Sequence, residues 1–210
     1  MLKLWGRITS LNVRKVMLVA QELGLAFERI DAGGAFGVVQ TPTYLAKNPN
    51  ALVPVLEDDL AGEHVQLWES NVIVRYLCAR HAPDTLYPLA LPARFDAERW
   101  MDWQQTSLNP PIGTVFFNLI RLSSDKRDMG AVTRNIPLAE GCLAILDEHL
   151  AACDYVNGDR FTMADIPVGT SVSRWSKLPF DRQSRPNVER WLARLKERPA
   201  FKAHIDVPLS

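Results

Sequence analysis

Residues 9–12, TSLN, carry polar side chains between a short apolar run and a helical pattern that begins near Val13. A helix N-terminus offers unpaired N–H groups and a positive dipole end, so Ser10 and Asn12 share a corner that suits an anion. Capping the helix is the commoner role of Ser, Thr and Asn at such a position. The turn alone leaves both interpretations open.

Residues 48–58, NPNALVPVLED, put Pro54 where a strand should begin. Proline has no N–H to give to a strand ladder, so it indicates a strand start or an edge. A cis bond at this point would turn the backbone of Val53 outward, but trans is the commoner state before proline. The sequence does not decide between the two.

Residues 68–77, WESNVIVRYL, place Glu69 and Ser70 between a strand and a helix. The helix N–H groups and the Ser70 hydroxyl suit a carboxylate, and the Glu69 carboxylate suits an ammonium group. The pair could hold an amino acid by both ends, although capping is the commoner role. Thr162 and Asp165 have the spacing of a capping box, which predicts the start of a buried helix and not catalysis.

The elements that position these residues alternate over the first 80 residues. The pattern predicts βαβαββα, with two parallel crossovers and a hairpin, and therefore a small α/β domain. We predict strands at 2–5, 27–31, 53–57 and 65–68, helices from Val13 to Gly24, at 41–47 and at 70–80, a loop at 32–40 and a hairpin turn at 58–64.

Pro83, Pro88 and Pro92 lie within eleven residues and cannot share one regular helix, so we predict a domain boundary there. The expected organisation is a first domain at 1–81, a linker at 82–92 and an all-helical domain at 93–210. The helices predicted in the second domain cover 94–119, with a kink at Pro110 and Pro111, then 138–151, 162–172 and 186–198.

The bulk composition excludes several classes of protein. The 210 residues contain 24 Lys plus Arg and 24 Asp plus Glu, so no net field favours nucleic acid or an anionic membrane. No signal peptide or apolar run of membrane-spanning length is visible, which predicts a cytoplasmic protein. Cys78, Cys142 and Cys153 follow no disulfide or metal-ligand pattern, so we expect no metal site.

Taken in order, these segments resemble the soluble glutathione transferase family, in a bacterial-like form. The resemblance implies a thioredoxin-like N-terminal domain with a mixed four-stranded sheet, an all-helical C-terminal domain and a homodimer. It also implies that glutathione is a co-substrate and that no other cofactor is needed. The motifs that carry it are Ser10, Asn12 and Lys15; Asn48, Pro49, Val53 and Pro54; Glu69 and Ser70; and the Thr162–Asp165 box.

By this resemblance, Pro54 is a cis proline and the Val53 backbone pairs with the cysteinyl part of glutathione. Glu69 and Ser70 hold its γ-glutamyl end. Ser10 faces the thiol, and Asn12 assists. The first strand ends in WGR with no tyrosine, and no cysteine precedes Cys78, so tyrosine and cysteine mechanisms are unsupported. Thr9 remains an alternative to Ser10.

The implied activity is attack of the glutathione thiolate on a hydrophobic electrophile, with a role in detoxification. The pocket for that electrophile is expected at the start of the helical domain, with Trp103, Gln104 and Ser107 as candidates beside Trp100 and Phe116. Two alternatives stay open: glutathione-dependent reduction of disulfides or peroxides, and a non-catalytic binding module of the same fold.

Overall fold

The computed structural model describes residues 1–59, Gly62 and residues 64–209. Its N-terminal half contains one mixed sheet in the strand order β2-β1-β3-β4. β1 pairs parallel with β2 and antiparallel with β3, and β3 pairs antiparallel with β4. The predicted four-stranded mixed sheet is confirmed. The strands are β1 (Leu2–Trp5), β2 (Phe27–Ile30), β3 (Val55–Asp58) and β4 (Val65–Trp68).

The prediction of two parallel crossovers is wrong, because β3 runs antiparallel to β1 with Leu2 opposite Asp58 and Trp5 opposite Val55. The connection from β2 to β3 contains a 3-10 turn (Gly34–Phe36) and the four-residue helix α2 (Pro42–Leu45). Such a helix is about 6 Å long, whereas a four-residue strand spans about 13 Å. The connection therefore has no helix long enough to carry the chain back along the sheet.

Two helices, α1 (Leu11–Glu22) and α3 (Ser70–His81), pack on each other and cover one face of the sheet. The alternation of β1 directs Leu2 and Leu4 into this core. Tyr44 of α2 packs in a separate small cluster with Ala32 and Val55.

The rest of the described chain is helical, as predicted. Its elements are α4 (Leu91–Trp103), a π turn (Gln104–Leu108), α5 (Asn109–Phe116), a second π turn (Phe117–Arg121), a 3-10 turn (Ser124–Lys126), α6 (Met129–Leu150), α7 (Asp165–Ser176), α8 (Pro186–Glu197) and α9 (Pro199–His204). One apolar core runs through both halves, and α1 packs directly on α7 and α9. One side of α1 therefore faces the helical half.

Several predicted boundaries are wrong. α6 begins at Met129 instead of residue 138, because Pro137 lies inside the helix and Asp128 caps its first turn by accepting from Ala131 N at 2.8 Å. The sequence does not predict α9. β3 begins after Val53 and Pro54 instead of including them. The predicted hairpin turn contains Leu60, Ala61 and Glu63, which lie outside the described residues, as does Ser210 at the end of the predicted helical domain.

Candidate functional site

Ser10 occupies the N-cap position of α1 in an extended conformation, yet its side chain makes no capping hydrogen bond. Within the described chain the hydroxyl has no other hydrogen-bond partner, and Asn12 in the first turn is exposed. The first turn also lacks an acidic residue. Its polar groups and its unpaired N–H groups are therefore available to a ligand.

The Val53–Pro54 peptide bond is cis. Just before it, the Leu52 carbonyl accepts hydrogen bonds from Tyr44 Oη at 2.8 Å and from Asn48 Nδ2 at 2.9 Å. These two bonds hold the backbone that leads into Val53. Neither the N–H nor the carbonyl of Val53 bonds another described residue, so both are available to an extended peptide ligand.

Glu69 stands at the N-cap of α3 with φ 71° and ψ 107°, a backbone conformation that is uncommon for residues other than glycine. Its carboxylate is exposed and accepts a hydrogen bond from Gln105 Nε2 at 3.1 Å. Strained backbone of this kind concentrates at ligand-binding sites. The strain and the single contact from the helical half hold the carboxylate at the mouth of a cavity, where an ammonium group can reach it.

Ser70, the first residue of α3, is buried beside the buried side chain of Lys15. Lys15 Nζ lies 3.3 Å from Ser70 Oγ and 3.0 Å from Asn71 Oδ1. Since a lysine amine donates to both oxygens, the Ser70 hydroxyl keeps its own proton for a different acceptor. The start of α3 can therefore offer that hydroxyl together with N–H groups to a carboxylate.

A line of buried hydrogen bonds continues from Lys15 into the helical half. Asn71 Nδ2 donates to Met101 O at 3.0 Å and to Gln104 Oε1 at 3.1 Å, and Gln104 Nε2 donates to Ser171 Oγ at 2.8 Å. Burial, with the charge of Arg174 as a second cause, lowers the pKa of Lys15 to about 7. The line connects α1 and α3 with α7.

Three cavities meet around the start of α1. The glutamate cavity, about 180 Å³, is lined by Asn12, Asn48, Asn50, Leu52, Val53, Pro54, Glu69, Ser70 and Gln105. The loop cavity, about 330 Å³, is lined by Arg7, Ser10, Asn12, Gly33, Gly34, Val39, Ala51, Leu52 and Val53. The arginine cavity, about 300 Å³, is lined by Arg7, Thr9, Ser10, Leu11, Asn12, Asn109, Gly113, Phe116, Phe117, Arg121 and Arg174.

Asn12 lines all three cavities, and Ser10 lines the loop cavity and the arginine cavity. The structure thus brings together the residues predicted to bind glutathione, although they come from three separate segments. The same two residues also line the arginine cavity, whose other wall comes from the helical half. One ligand group held near Ser10 could therefore meet a second ligand in the arginine cavity.

The three residues predicted for the second pocket do not line the arginine cavity. Gln104 is fully buried because it lies on the helix stripe that includes Met101 and Leu108. Trp103 packs edge to face on Trp100, with ring centroids 5.0 Å apart, beside a different cavity. Ser107 is exposed, next to Thr106. Of the other candidates in this region, Phe116 does line the cavity.

Sequence reasoning missed Gln105, Arg121 and Arg174. Gln105 lies in the π turn, where the wider helical step changes which side chains share a face. Arg121 and Arg174 are 53 positions apart and meet only through the packing of the helices, so no local motif indicates them.

The cysteines lie away from the three cavities in the described part of the chain. Burial raises the pKa of Cys78 to about 12, and burial also raises the pKa of Cys142. No cysteine lines any of the three cavities. Across the described residues no group of three or more His, Cys, Asp or Glu is placed to hold a metal ion, and no helix is long and apolar enough to cross a membrane.

Comparison with known proteins gives the same assignment for both halves. Residues 4–85 match the family model "Glutathione S-transferase, N-terminal domain", and residues 108–199 match "Glutathione S-transferase, C-terminal domain". The chain is 37% identical to glutathione S-transferase GstB of Escherichia coli (strain K12) over 210 residues, all of both proteins. It is 31% identical to glutathione S-transferase 3 of Zea mays, with 97% of this chain and 93% of the relative covered.

A solved structure of the theta class glutathione S-transferase from the citrus canker pathogen Xanthomonas axonopodis pv. citri, with glutathione bound, superposes with a TM-score of 0.93. Its sequence is 39% identical, and the match covers 100% of this chain and 99% of the other. The chain therefore belongs to the glutathione S-transferase family and is an enzyme of that family. The predicted family, fold and enzyme class are confirmed.

Proposed function

We propose that the protein joins glutathione to an electrophilic carbon of a small molecule. Glu69 binds the ammonium group of the γ-glutamyl residue, while Ser70 and the start of α3 bind its carboxylate. The backbone of Val53, which follows the bonded Leu52 carbonyl, pairs with the cysteinyl residue. This places the thiol at Ser10 and Asn12, and the second substrate in the arginine cavity.

The observation that carries this proposal is the position of Ser10 and Asn12, where the glutathione side and the arginine cavity meet. Ser10 donates its free hydroxyl proton to the sulfur, and Asn12 orients or assists. To be mostly ionised at neutral pH, a cysteine thiol must have its pKa lowered from about 8.5 to about 6.5, which requires about 2.7 kcal/mol. One hydrogen bond to a charged group supplies about 1.5–3 kcal/mol and a helix N-terminus about 0.3–1 kcal/mol.

In the reaction, the thiol proton passes to solvent and the thiolate sulfur forms a bond to the electrophilic carbon. The bond from that carbon to its leaving group breaks, and the leaving group departs with the electron pair. Glutathione supplies the nucleophile, so the protein contributes position and electrostatic stabilisation.

Calorimetry tests the glutathione site directly. Wild type and the double variant Glu69→Ala/Ser70→Ala should both remain folded, and the double variant should lose most of its affinity for glutathione. A matched control is Glu28→Ala, which removes an exposed carboxylate on β2 that lines none of the three cavities. Undiminished affinity in the double variant would refute the assignment of the site.

Reduction of disulfides or peroxides remains the alternative activity. No cysteine lines the cavities, so glutathione itself would be oxidised: two molecules are consumed for a peroxide, whereas one displaces the thiol from a glutathione mixed disulfide. Turnover of a chlorinated nitroaromatic should exceed turnover of a small mixed disulfide. The reverse preference would favour reduction.

We also propose a cytoplasmic homodimer that acts in detoxification. Apolar side chains exposed near β4, α3 and α4 support the dimer, since Trp68, Val72, Leu91 and Phe95 are each at least 40% exposed. Light scattering combined with size exclusion should give twice the 23.6 kDa of one chain. A monomer at micromolar concentration would contradict this part of the proposal.

A further inference from the structure

The arginine cavity has a strongly one-sided charge. Arg7, Arg121 and Arg174 line it, and none of its described lining residues is Asp or Glu. None of the three arginines forms an ion pair with a described residue. Most other arginines in the described chain pair with a carboxylate, so this cavity is unusual within the described part of the protein.

Arg174 is the most constrained of the three. Its Nε is buried without a hydrogen-bond partner in the described chain, and its guanidinium carbon lies 4.1 Å from the centroid of the Phe116 ring. Burial is the main cause that lowers the pKa of Arg174 to about 10, followed by repulsion from Arg121 and Arg14. The group stays charged at neutral pH, and its charge is not matched within the cavity.

Arg121 approaches the same ring from the second π turn, with its guanidinium carbon 5.6 Å from the Phe116 centroid. It also donates from Nη2 to the Thr9 carbonyl at 3.2 Å, beside Ser10. Two guanidinium groups and an aromatic ring therefore border the cavity close to the proposed thiol position. Arg7 lines the loop cavity as well, so its charge is shared with the expected glutathione side.

We propose that the electrophile carries a carboxylate, which Arg121 and Arg174 bind while its apolar part lies on Phe116. The inference rests on the proposed conjugation and names the class of its second substrate. Guanidinium groups bind carboxylates in planar, charge-assisted pairs, which are stronger when little water is present. A neutral electrophile of the same shape would leave the guanidinium charges without a partner.

Two electrophiles of nearly equal size test this inference: 4-chloro-3-nitrobenzoate and 4-chloro-3-nitrobenzamide. In each, the glutathione sulfur forms a bond to the ring carbon, the carbon–chlorine bond breaks and chloride leaves. Each kcat/KM is divided by the uncatalysed rate constant with glutathione, because the two rings differ in intrinsic reactivity. The normalised value for the acid should exceed that for the amide by about tenfold or more, as expected for a hydrogen bond to a charged group.

Arg121→Gln should lower that ratio several-fold, with Arg174 left as the remaining partner of the carboxylate, and Arg127→Gln should leave the ratio unchanged. Both arginines are exposed and donate to a backbone carbonyl, but Arg127 does not line the cavity, so the pair is matched. Because Arg121 is exposed, its replacement should not affect folding. If Arg121→Gln lowered the normalised kcat/KM equally for the acid and the amide, the arginines would act on the thiolate. If the variant bound glutathione more weakly, they would hold glutathione. Either result overturns the inference.

Binding of the two conjugates, measured by calorimetry, separates failure of the inference from failure of the proposed function. Tighter binding of the carboxylate conjugate than of the amide conjugate supports the anion site. If neither electrophile turned over at the same time, only the proposed conjugation would be contradicted. If both electrophiles turn over with equal normalised rates and their conjugates bind with equal affinity, the proposed conjugation is supported and the inference is overturned.

Discussion

Lys15 Nζ and Asn71 Oδ1 lie 3.0 Å apart in the interior, and the same amine lies 3.3 Å from Ser70 Oγ. This contact joins α1 to α3 below the glutamate cavity. Replacing Lys15 leaves the buried Asn71 oxygen without this donor, which costs stability for any replacement that cannot donate. A pH dependence is therefore a more specific sign of the amine than a loss of stability alone.

Lys15→Met should reduce the rise of stability with pH above neutrality. Burial lowers the pKa of Lys15 from 10.5 to about 7, so between these values the unfolded chain binds more protons than the folded chain. The free energy of unfolding of the wild type therefore increases with pH in this range, and this group contributes at most about 1.4 kcal/mol per pH unit. Urea denaturation at pH 7, 8 and 9 measures it.

The wild-type minus variant difference should increase over that series, since other titrating groups are common to both proteins. Lys126→Met, which removes an exposed lysine, should show no such change. Parallel curves for wild type and Lys15→Met would show that the amine does not titrate in this range. The nearby charges to consider are those of Glu69 and Arg174.

Ser10→Ala should raise the pKa of the bound glutathione thiol by about one to two pH units, because one hydrogen bond to an ionised group contributes about 1.5–3 kcal/mol. Asn12→Ala should have a smaller effect if Asn12 orients the sulfur without donating the main hydrogen bond. Titration of thiolate ultraviolet absorbance in the binary complex measures both values.

Ser107→Ala is the control, since Ser107 is exposed and lines none of the three cavities. A larger rise of the thiol pKa in Thr9→Ala or Asn12→Ala than in Ser10→Ala would assign the sulfur contact to that residue instead. Thr9 lines the arginine cavity but neither of the other two.

Gln105→Ala should raise KM for glutathione about two- to tenfold and change kcat little. Gln105 Nε2 donates to Glu69 at 3.1 Å, so its loss frees the carboxylate that we propose to bind glutathione equally before and during the reaction. Steady-state kinetics at varied glutathione concentration measures KM and kcat separately. Gln66→Ala removes an exposed amide bonded to the Lys47 carbonyl and should leave both constants unchanged. A fall in kcat at unchanged KM would contradict a positioning role.

The sequence was sufficient to predict where most residues of the proposed glutathione site lie along the strands and helices, because each of these positions is encoded locally. Ser10 follows a strand and opens a helix, Pro54 precedes a strand, and Glu69 and Ser70 join a strand to a helix. Local order along the chain therefore predicts these features. The direction of β3 is not local, since it depends on how the whole β2–β3 connection crosses the sheet.

The second cavity could not be predicted in the same way. Helical periodicity groups Trp100, Trp103, Gln104 and Ser107 on adjoining faces, but it does not say which face meets the core. In the folded chain Gln104 is enclosed between Asn71 and Ser171, whereas Arg121 and Arg174 reach the cavity from distant helices. Tertiary packing decides both outcomes.

Asp165→Ala should destabilise the fold strongly without changing the glutathione site. The buried carboxylate accepts hydrogen bonds from Val156 N, Thr162 N and Trp191 Nε1, each at 2.9 Å. Ala164 N donates to Thr162 Oγ1 at 3.4 Å, so only part of the predicted capping box forms, and α7 begins at Asp165 with Ala164 as its N-cap instead of at Thr162. Three buried donors lose their acceptor, and each costs about 1–3 kcal/mol, so we expect a loss of at least about 3 kcal/mol.

Chemical denaturation measures that loss, with Asp125→Ala as the control because Asp125 is exposed. Glutathione affinity per folded molecule, measured below the unfolding transition, should stay at the wild-type value. The carboxylate lines none of the three cavities, so its effect should be confined to the amount of folded protein. If Asp165→Ala folded with normal stability but lost turnover, Asp165 would have a catalytic role that its buried position does not explain.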